Sequence, residues 1–445
     1  MEFEDLELSN LTLKALEELG YKKLTSIQKI CILPALNGRD VLGSGKTGSG
    51  KTLCFVIPII EKLWSKQWSN LDAIGGCVIC PIRELGVQIF EVMRTVSFYH
   101  SFGVRALIGG NFIKKNKKSN KKFSIMIATP SSLLNLISSE KFFTLDYLEI
   151  LTLDEIDKIL DMGFQRVFSS ILKFISEKKQ TLVFSATLTK KIRNVTRLNL
   201  VNPVFCKVRK RRKTESKKSE FPEAPSKLFQ YYLKVNLNEK INILFSFLKS
   251  HQDQKIIVFF SSRKQVGFFY YIFKALLPNC SFFFIYGNMN QKKRASNFIF
   301  FNQSKKGILF TTDLVSRGVD FKSIDWVVQA DCPHDVETYL HRIGRAGRFN
   351  KEGKSVLLIG QQEIFFLNLL NSNNIKIFQM RISKGQIVCV SEKISLLVRQ
   401  NRKLNILGNS AFLNYTRFII SQKNKKIFRL NKSGMLQMAK SFGLV

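Results

Sequence analysis

Acidic residues are scarce in this chain. Thirty-three Asp and Glu stand against 70 Lys and Arg in 445 residues, a formal net charge of +37. That balance argues against basic partners and points to a polyanionic one. Heavy use of Phe, Ile, Asn and Lys accounts for part of the excess as compositional bias, so the placement of the charges must decide. Long apolar runs are lacking too. No stretch reaches about 18 apolar residues, and no membrane span is expected. The opening Met1-Glu2-Phe3-Glu4-Asp5 is acidic and lacks the basic-then-apolar layout of a secretory signal. Eight cysteines in a chain of this size do not make a disulfide framework and fit a reducing compartment. Cys77 and Cys80 have metal-ligand spacing, but no second Cys or His pair lies nearby. They sit in an apolar run and read as buried strand residues, not as zinc ligands.

What is present is an ordered alternation of short apolar runs and amphipathic stretches, in a chain too long for one core. Strands are expected at Asp40–Gly43, Gly76–Cys80, Val104–Ile108, Ser124–Ala128, Glu149–Leu153 and Thr181–Phe184, with helical patterns such as Leu11–Leu19 and Arg83–Arg94 between them. A second series is expected at Phe229–Val235, Lys255–Phe260, Ser281–Tyr286, Gly307–Thr311, Trp326–Gln329 and Ser355–Ile359. The βαβα order implies an α/β fold with parallel sheets and ligands at the strand carboxyl ends. The boundaries read as a first domain over 1–206, a basic linker over 207–226, a second domain over 227–374 and a helical, basic region over 375–445. Arg209–Lys213 in the linker is either a solvated charge run or a nuclear-localisation signal.

Residues 43–52 read Gly-Ser-Gly-Lys-Thr twice, and register separates the copies. The pattern G-x-x-x-x-G-K-[ST] is met by Gly45, Lys46, Thr47, Gly48, Ser49, Gly50, Lys51 and Thr52. The first copy fails, because the position five before Gly45 is Asp40. Glycines let backbone N–H groups close around phosphate oxygens; Lys51 would reach the terminal phosphates and Thr52 would help hold Mg²⁺. Lys46 is then a loop residue. Leu151-Thr152-Leu153 ends in Asp154, Glu155 and Asp157. Asp154 at the strand tip suits Mg²⁺, and Glu155 suits orienting or deprotonating a water. Ser185-Ala186-Thr187 follows another strand and is placed to hydrogen-bond that cluster. In the second half, His341-Arg342-Ile343-Gly344-Arg345-Ala346-Gly347-Arg348 supplies arginines able to reach a γ-phosphate, an effect of ~10³–10⁵ in rate.

These sets, in this order, resemble the DEAD-box family of ATP-dependent RNA helicases from about Phe3 to Ile359. The resemblance implies two RecA-like domains that close over ATP and one RNA strand. It implies that Tyr21 stacks on adenine, Gln28 reads its edge, and Phe3 supports that motif. Asp320 would meet the ribose, with His341, Arg345 and Arg348 completing the ATP site, and Ser185 and Thr187 would link ATP state to RNA grip. The RNA-facing positions implied are Arg83, Gly109, Gly110, Thr129, Pro130, Arg263, Gln291, Arg294, Thr311 and Thr312. Such contacts go to phosphate and sugar, so little sequence preference is expected.

Departures from the family pattern are Ile156 for alanine, Ile82 and Gly86 for threonine and alanine, Ser131-Ser132 for Gly-Arg, and Leu24 for proline. Ile156 is expected to strain its packing by ~1–3 kcal/mol unless its neighbours are small. Further stretches are similar to the nucleolar helicases of ribosome biogenesis that act on small-subunit pre-rRNA. They include Gln88–Val92, Ile257–Ser262, Ala330-Asp331-Cys332-Pro333, Tyr415-Thr416-Arg417 and Ala439–Leu444. The resemblance therefore implies ATP and Mg²⁺, pre-ribosomal RNA, assembly proteins and a nucleolar setting. The competing expectations are a messenger-RNA or translation-initiation helicase, and a scaffold that binds RNA without turnover.

Overall fold

Runs of Val, Ile, Leu and Cys that lack polar alternation suit strands covered on both faces, and that is where they lie. The computed structural model describes residues 1–45, 48–69, 71–109, 123–140, 143–185, 200–208, 228–316, 321–347 and 352–444. They form two compact units, the first within Met1–Glu220 and the second within Phe221–Val445.

In the first unit the strands are β1 (Val41–Ser44), β2 (Gly76–Ile79), β3 (Val104–Leu107), β4 (Ile125–Ala128), β5 (Ile150–Leu153), β6 (Gln180–Ser185) and β7 (Val204–Lys207). They lie in the order β3-β4-β2-β5-β6-β1-β7, and every pairing is parallel. The helices are α1 (Asn10–Glu18), α2 (Ser26–Leu36), α3 (Leu53–Ser65), α4 (Arg83–Val96), α5 (Pro130–Ser139), α6 (Ile156–Asp161) and α7 (Gln165–Leu172). Six of these strands follow the alternation within a residue or two at each end. β7 is an addition: Val204–Lys207 is a short run just before the basic linker, and it pairs along the open edge of β1.

The second unit repeats the plan. Its strands are β8 (Leu228–Val235), β9 (Lys255–Phe259), β10 (Phe282–Ile285), β11 (Gly307–Thr311), β12 (Trp326–Gln329), β13 (Gly353–Gly360) and β14 (Phe378–Gln379). Their order is β10-β11-β9-β12-β13-β8-β14, again all parallel. Position for position this is the order of the first sheet. Its helices are α8 (Lys240–Ser250), α9 (Arg263–Leu276), α10 (Gln291–Gln303), α11 (Val336–Ile343), α12 (Phe365–Ser372), α13 (Ser391–Gln400), α14 (Arg402–Ser421) and α15 (Lys432–Ser441). The region expected to be helical from 375 onward carries helices from Ser391, preceded by the two-residue β14, which extends the sheet beside β8. Among the described residues, no helix is long and apolar enough to cross a membrane.

Two departures from the family pattern find their place in the first core. Ile156 is fully buried in the apolar cluster that holds Leu153, Ile159, Phe168 and Val183, so its extra carbons add to the core. Gly86 lies where α4 passes its neighbours closely. A Cβ there would stand 2.6 Å from Ile108 Cγ2 and 3.2 Å from Cys80 Sγ, so a methyl group has no room without movement. Cys77 and Cys80 are both fully buried on and just after β2, and burial pushes the Cys77 thiol up to about 12.

Candidate nucleotide and nucleic-acid site

Strand order decides which loops become neighbours. In an open parallel sheet the ligand-binding loops follow the carboxyl ends of the strands. In the first unit, β5, β6 and β1 are adjacent, and they lead into Asp154-Glu155, Ser185 and the glycine loop. The adjoining β3, β4 and β2 lead towards Gly109, Thr129-Pro130 and Arg83. One sheet edge therefore carries the residues expected at phosphate on one half and those expected at RNA on the other.

The glycine loop is built from both sides. The Gly45 N–H donates to the Ser185 carbonyl at 3.3 Å, so β1 and β6 stay paired as the loop begins. Thr25 caps α2 in a capping box with Gln28, whose Oε1 accepts from the Thr25 N–H at 2.7 Å. Gln28 Nε2 donates to the Gly50 carbonyl at 3.0 Å. Gly50 has φ +88°, and a Cβ on it would lie 2.6 Å from Gln28 Nε2. Only glycine admits this approach. Gln28, expected at the edge of adenine, is thus also the brace between α2 and the loop. Tyr21 leads into α2 with 41% of its surface exposed, open for stacking. Thr52 precedes α3, whose first residue is Leu53. Asp40, the residue that disqualifies the first Gly-Lys-Thr copy, accepts from the Thr181 and Val201 N–H groups at 2.7 Å each and so staples the start of β1. Lys46, Thr47, Gly110, Thr187, Asp320, Arg348 and nearly all of the expected linker lie outside the described residues.

Lys51 Nζ lies 3.1 Å from Glu155 Oε1, with both side chains buried. Burial works against the ammonium, but Glu155, Asp154 and Asp157 outweigh it and hold the Lys51 pKa above its ordinary value. Glu155 adopts left-handed backbone (φ 50°, ψ 49°), unusual for a residue with a Cβ, and its N–H donates to Asp154 Oδ1 at 3.0 Å. Such strain is of order 1–3 kcal/mol and gathers at functional sites. Burial first, then the neighbouring Glu155, raise the Asp154 carboxyl to about 7 despite Lys51.

On the adjoining half, the Arg83 guanidinium rests against Gly109, 2.6 Å from where a Cβ would stand. Thr129 donates its hydroxyl to Ser132 Oγ at 2.9 Å, and Pro130 opens α5. Ser132 here takes the place of the family's arginine and serves the strand–helix turn.

The second unit repeats the division. β10, β11 and β9 lead to Gln291, Thr312 and Arg263, while β12 leads to Asp331 and α11. Arg263 is the exposed first residue of α9, and Gln291 is the first residue of α10, one turn before the buried Arg294. Thr311 is buried, and its hydroxyl donates to the Ile285 carbonyl at 2.8 Å, which joins β11 to β10. Thr312 is the half-buried residue that follows it. His341 and Arg345 lie on and just after α11, with Arg345 Nε donating to the His341 carbonyl at 3.3 Å.

A family profile described as DEAD/DEAH box helicase matches residues 25–195, and one described as helicase conserved C-terminal domain matches 239–350. The ATP-dependent RNA helicase dbp4 of Schizosaccharomyces pombe is 40% identical over 99% of this chain and 59% of its own length. The chain belongs to the DEAD-box helicase family. The probable ATP-dependent RNA helicase ddx10 of Dictyostelium discoideum is 40% identical over 100% of this chain and 50% of its own length. The chain thus spans about half to three fifths of the length of these curated relatives. Among solved structures, Mss116p (NTE and C-tail double deletion) bound to ssRNA and AMP-PNP superposes with a TM-score of 0.81 at 26% identity. That match covers 99% of this chain and 89% of the other. S. cerevisiae Dbp5 bound to RNA and ADP BeF3 shares the fold, with a TM-score of 0.73 at 23% identity over 85% of this chain and 95% of its own. Each unit of this DEAD-box chain is accordingly a RecA-like domain with an additional edge strand, and helices follow at the C-terminus.

Motif reading alone misses the partners of Arg342 in this family member. Arg342 grips Asp313 through Nε (2.5 Å) and Nη2 (3.0 Å), and its Nη1 donates to the Asp331 carbonyl at 2.8 Å. The arginine stretch therefore divides its work, with Arg342 holding the loop after Thr312. Asp313 and Arg342 each stand in a polar set visible in the sequence, but nothing local pairs them.

The donor set on the first sheet suits a divalent cation. Three carboxylates, Asp154, Glu155 and Asp157, crowd one ammonium, and the Asp154 carboxyl is raised by burial first and by the Glu155 charge second. A testable consequence follows from the sign of that shift. The carboxyl binds its proton more tightly in the folded chain, so its stabilising contribution is complete below the unfolded value of 3.8 and is lost as pH rises through about 7. In the absence of metal and nucleotide, Asp154→Asn should melt at increasingly higher temperature than wild type as pH goes from 5 to 8. The gain should be on the order of 1–2 kcal/mol at pH 8. Thermal melts at constant ionic strength check this, and a difference that does not vary with pH would contradict it.

Proposed function

We propose that the chain is an RNA-stimulated ATPase that locally separates short RNA duplexes or strips protein from RNA, acting in ribosomal RNA processing. The observation that supports this reading is the repeated strand order, in which the residues expected at phosphate and those expected at RNA follow neighbouring strands of the first sheet, with a like division on the second. ATP would sit on Gly45–Thr52, with Tyr21 and Gln28 at the base and Lys51 at the terminal phosphates. Glu155 would orient or deprotonate the attacking water. Asp154 and Thr52 would hold Mg²⁺, which would offset phosphate charge. Asp157, Ser185 and Thr187 would report nucleotide state to the RNA set. His341, Arg345, Arg348 and Asp320 would be the second unit's contribution. RNA would meet Arg83, Gly109, Gly110, Thr129 and Pro130 on one unit and Arg263, Gln291, Arg294 and Thr312 on the other. Thr311, whose hydroxyl is committed to Ile285, would act by placing Thr312.

ATP and RNA engaged by both units would draw them together, and loss of phosphate would release them, a γ-phosphate switch. The relatives named ATP-dependent RNA helicase support the activity, and the tail segments similar to the nucleolar branch support a nucleolar setting and a small-subunit pre-rRNA target. Crosslinking the protein to RNA in cells and sequencing the captured RNA tests the target. Enrichment of small-subunit precursor RNA is expected. Capture dominated by messenger RNA would favour the translation-type helicase instead.

A further inference from the structure

A buried polar network in the second unit joins the C-terminal helices to the loops of its RNA set. Lys240, the first residue of α8, donates from Nζ to Asp331 Oδ1 at 2.7 Å and to the Tyr415 hydroxyl oxygen at 3.2 Å. All three residues are buried. Asp331 Oδ2 accepts from the Ser261 N–H at 2.8 Å and from Gln265 Nε2 at 3.0 Å. Gln265 closes the capping box of α9, its Oε1 accepting from the Ser262 N–H at 3.0 Å. Arg263 and Lys264 lie between these anchors, and Arg263 is the first residue of α9. The Asp331 carbonyl also accepts from Arg342, which grips Asp313.

Burying an ammonium and a carboxylate costs several kcal/mol each, and such a pair persists only with its remaining hydrogen-bond positions satisfied. Burial raises the Asp331 carboxyl, but Lys240 overcomes this and holds it below the ordinary value. Tyr415 lies on α14, far along the chain from Lys240, and it supplies an acceptor to that ammonium. Without it Lys240 has one acceptor fewer. Lys240 would then be free to shift on Asp331, which leaves the carboxylate at the start of α9 less firmly oriented.

We propose that Tyr415 is a positioning residue for RNA-dependent turnover: through Lys240 and Asp331 it sets the first turn of α9, and with it Arg263, for the RNA backbone. The C-terminal helices are then part of the RNA-responsive machinery, not only a cover for the sheet. This rests on the reading of the chain as an RNA-stimulated ATPase.

The test uses the full chain with Tyr415→Phe, and Val398→Ala as a control that removes apolar packing from α13 without touching the network. Hydrogen exchange across Phe260–Gln265 should be at least about tenfold faster in Tyr415→Phe and unchanged in Val398→Ala. The RNA concentration giving half-maximal ATPase should rise about five- to tenfold in Tyr415→Phe, with kcat at saturating RNA within about twofold. In an Arg263→Ala background the same change should add little. Unchanged exchange in Tyr415→Phe, or an equal shift in RNA requirement from Val398→Ala at matched loss of melting temperature, would overturn the proposal. A wild-type chain whose ATPase ignores RNA would overturn the functional reading and the RNA part of this one, while the exchange rates would still decide the positioning.

Discussion

Replacing Lys51 by alanine should lower ATP turnover by at least ~10²–10³-fold, the scale seen when one preorganised electrostatic donor is removed from a reaction site. Lys51 is the lysine that the glycine register assigns to the terminal phosphates, and its ammonium lies 3.1 Å from Glu155 in a buried setting. Its removal has a second effect. Asp154, Glu155 and Asp157 would face one another with their cation gone, and their repulsion would rise as they ionise. The variant should therefore also be less stable by about 1–3 kcal/mol at pH 8, and less affected at pH 6, where the raised Asp154 carboxyl holds its proton. Lys46→Ala, in the copy that fails the register, should stay within a few-fold of wild type. Steady-state ATPase assays and thermal melts at the two pH values read both effects. Turnover within threefold of wild type in Lys51→Ala would remove the phosphate-site assignment, and a large loss in Lys46→Ala would move it to the first copy.

Glu155→Gln should separate binding from hydrolysis. The amide keeps the size of the carboxylate and a hydrogen bond to Lys51, so nucleotide and RNA should still bind. What disappears is the proposed base, and cleavage should slow by ~10²–10⁴-fold. The left-handed backbone at Glu155 is retained by glutamine at similar cost, so the variant should fold. After burial, Glu155 is the largest influence raising Asp154, so that carboxyl should fall back toward its usual range. Single-turnover ATP cleavage gives the rate, and co-elution of RNA with ATP-loaded protein gives the retained complex. An unchanged cleavage rate would end the proposed role of Glu155, whereas loss of both binding and cleavage would make it a structural residue.

Much of the fold was legible because local chemistry writes it. Apolar runs such as Cys77–Ile79 and Ile125–Ala128 lack polar alternation, since helices cover both faces of a parallel sheet. The strand β7 was not legible, because Val204–Lys207 is too short to show a period and its place is fixed by pairing with β1. The site divides in the same way. The glycine loop and Asp154-Glu155 could be named from spacing, but the structure adds work to several residues. Gln28, expected at the base, braces the loop, Thr311 spends its hydroxyl on Ile285, and Arg342 serves Asp313. Ile156 reads as a defect beside the family pattern and is a core residue in its own setting.

The sequence by itself determined the register of the phosphate loop, because the choice between Lys46 and Lys51 depends on a glycine at one fixed spacing. It also determined that Asp154 and Glu155 end a strand, because hydrophobic period and chain reach are short-range properties. Only the tertiary structure decided which loops share a half of each sheet edge, because strand order is set by crossovers that no local pattern records. Only it decided that Asp154 titrates near neutrality, because desolvation and charge repulsion depend on what is folded around a group. And only it joined Lys240 to Asp331 and Tyr415, which stand 91 and 175 residues away along the chain, since a buried ion pair is made by packing and not by proximity in sequence.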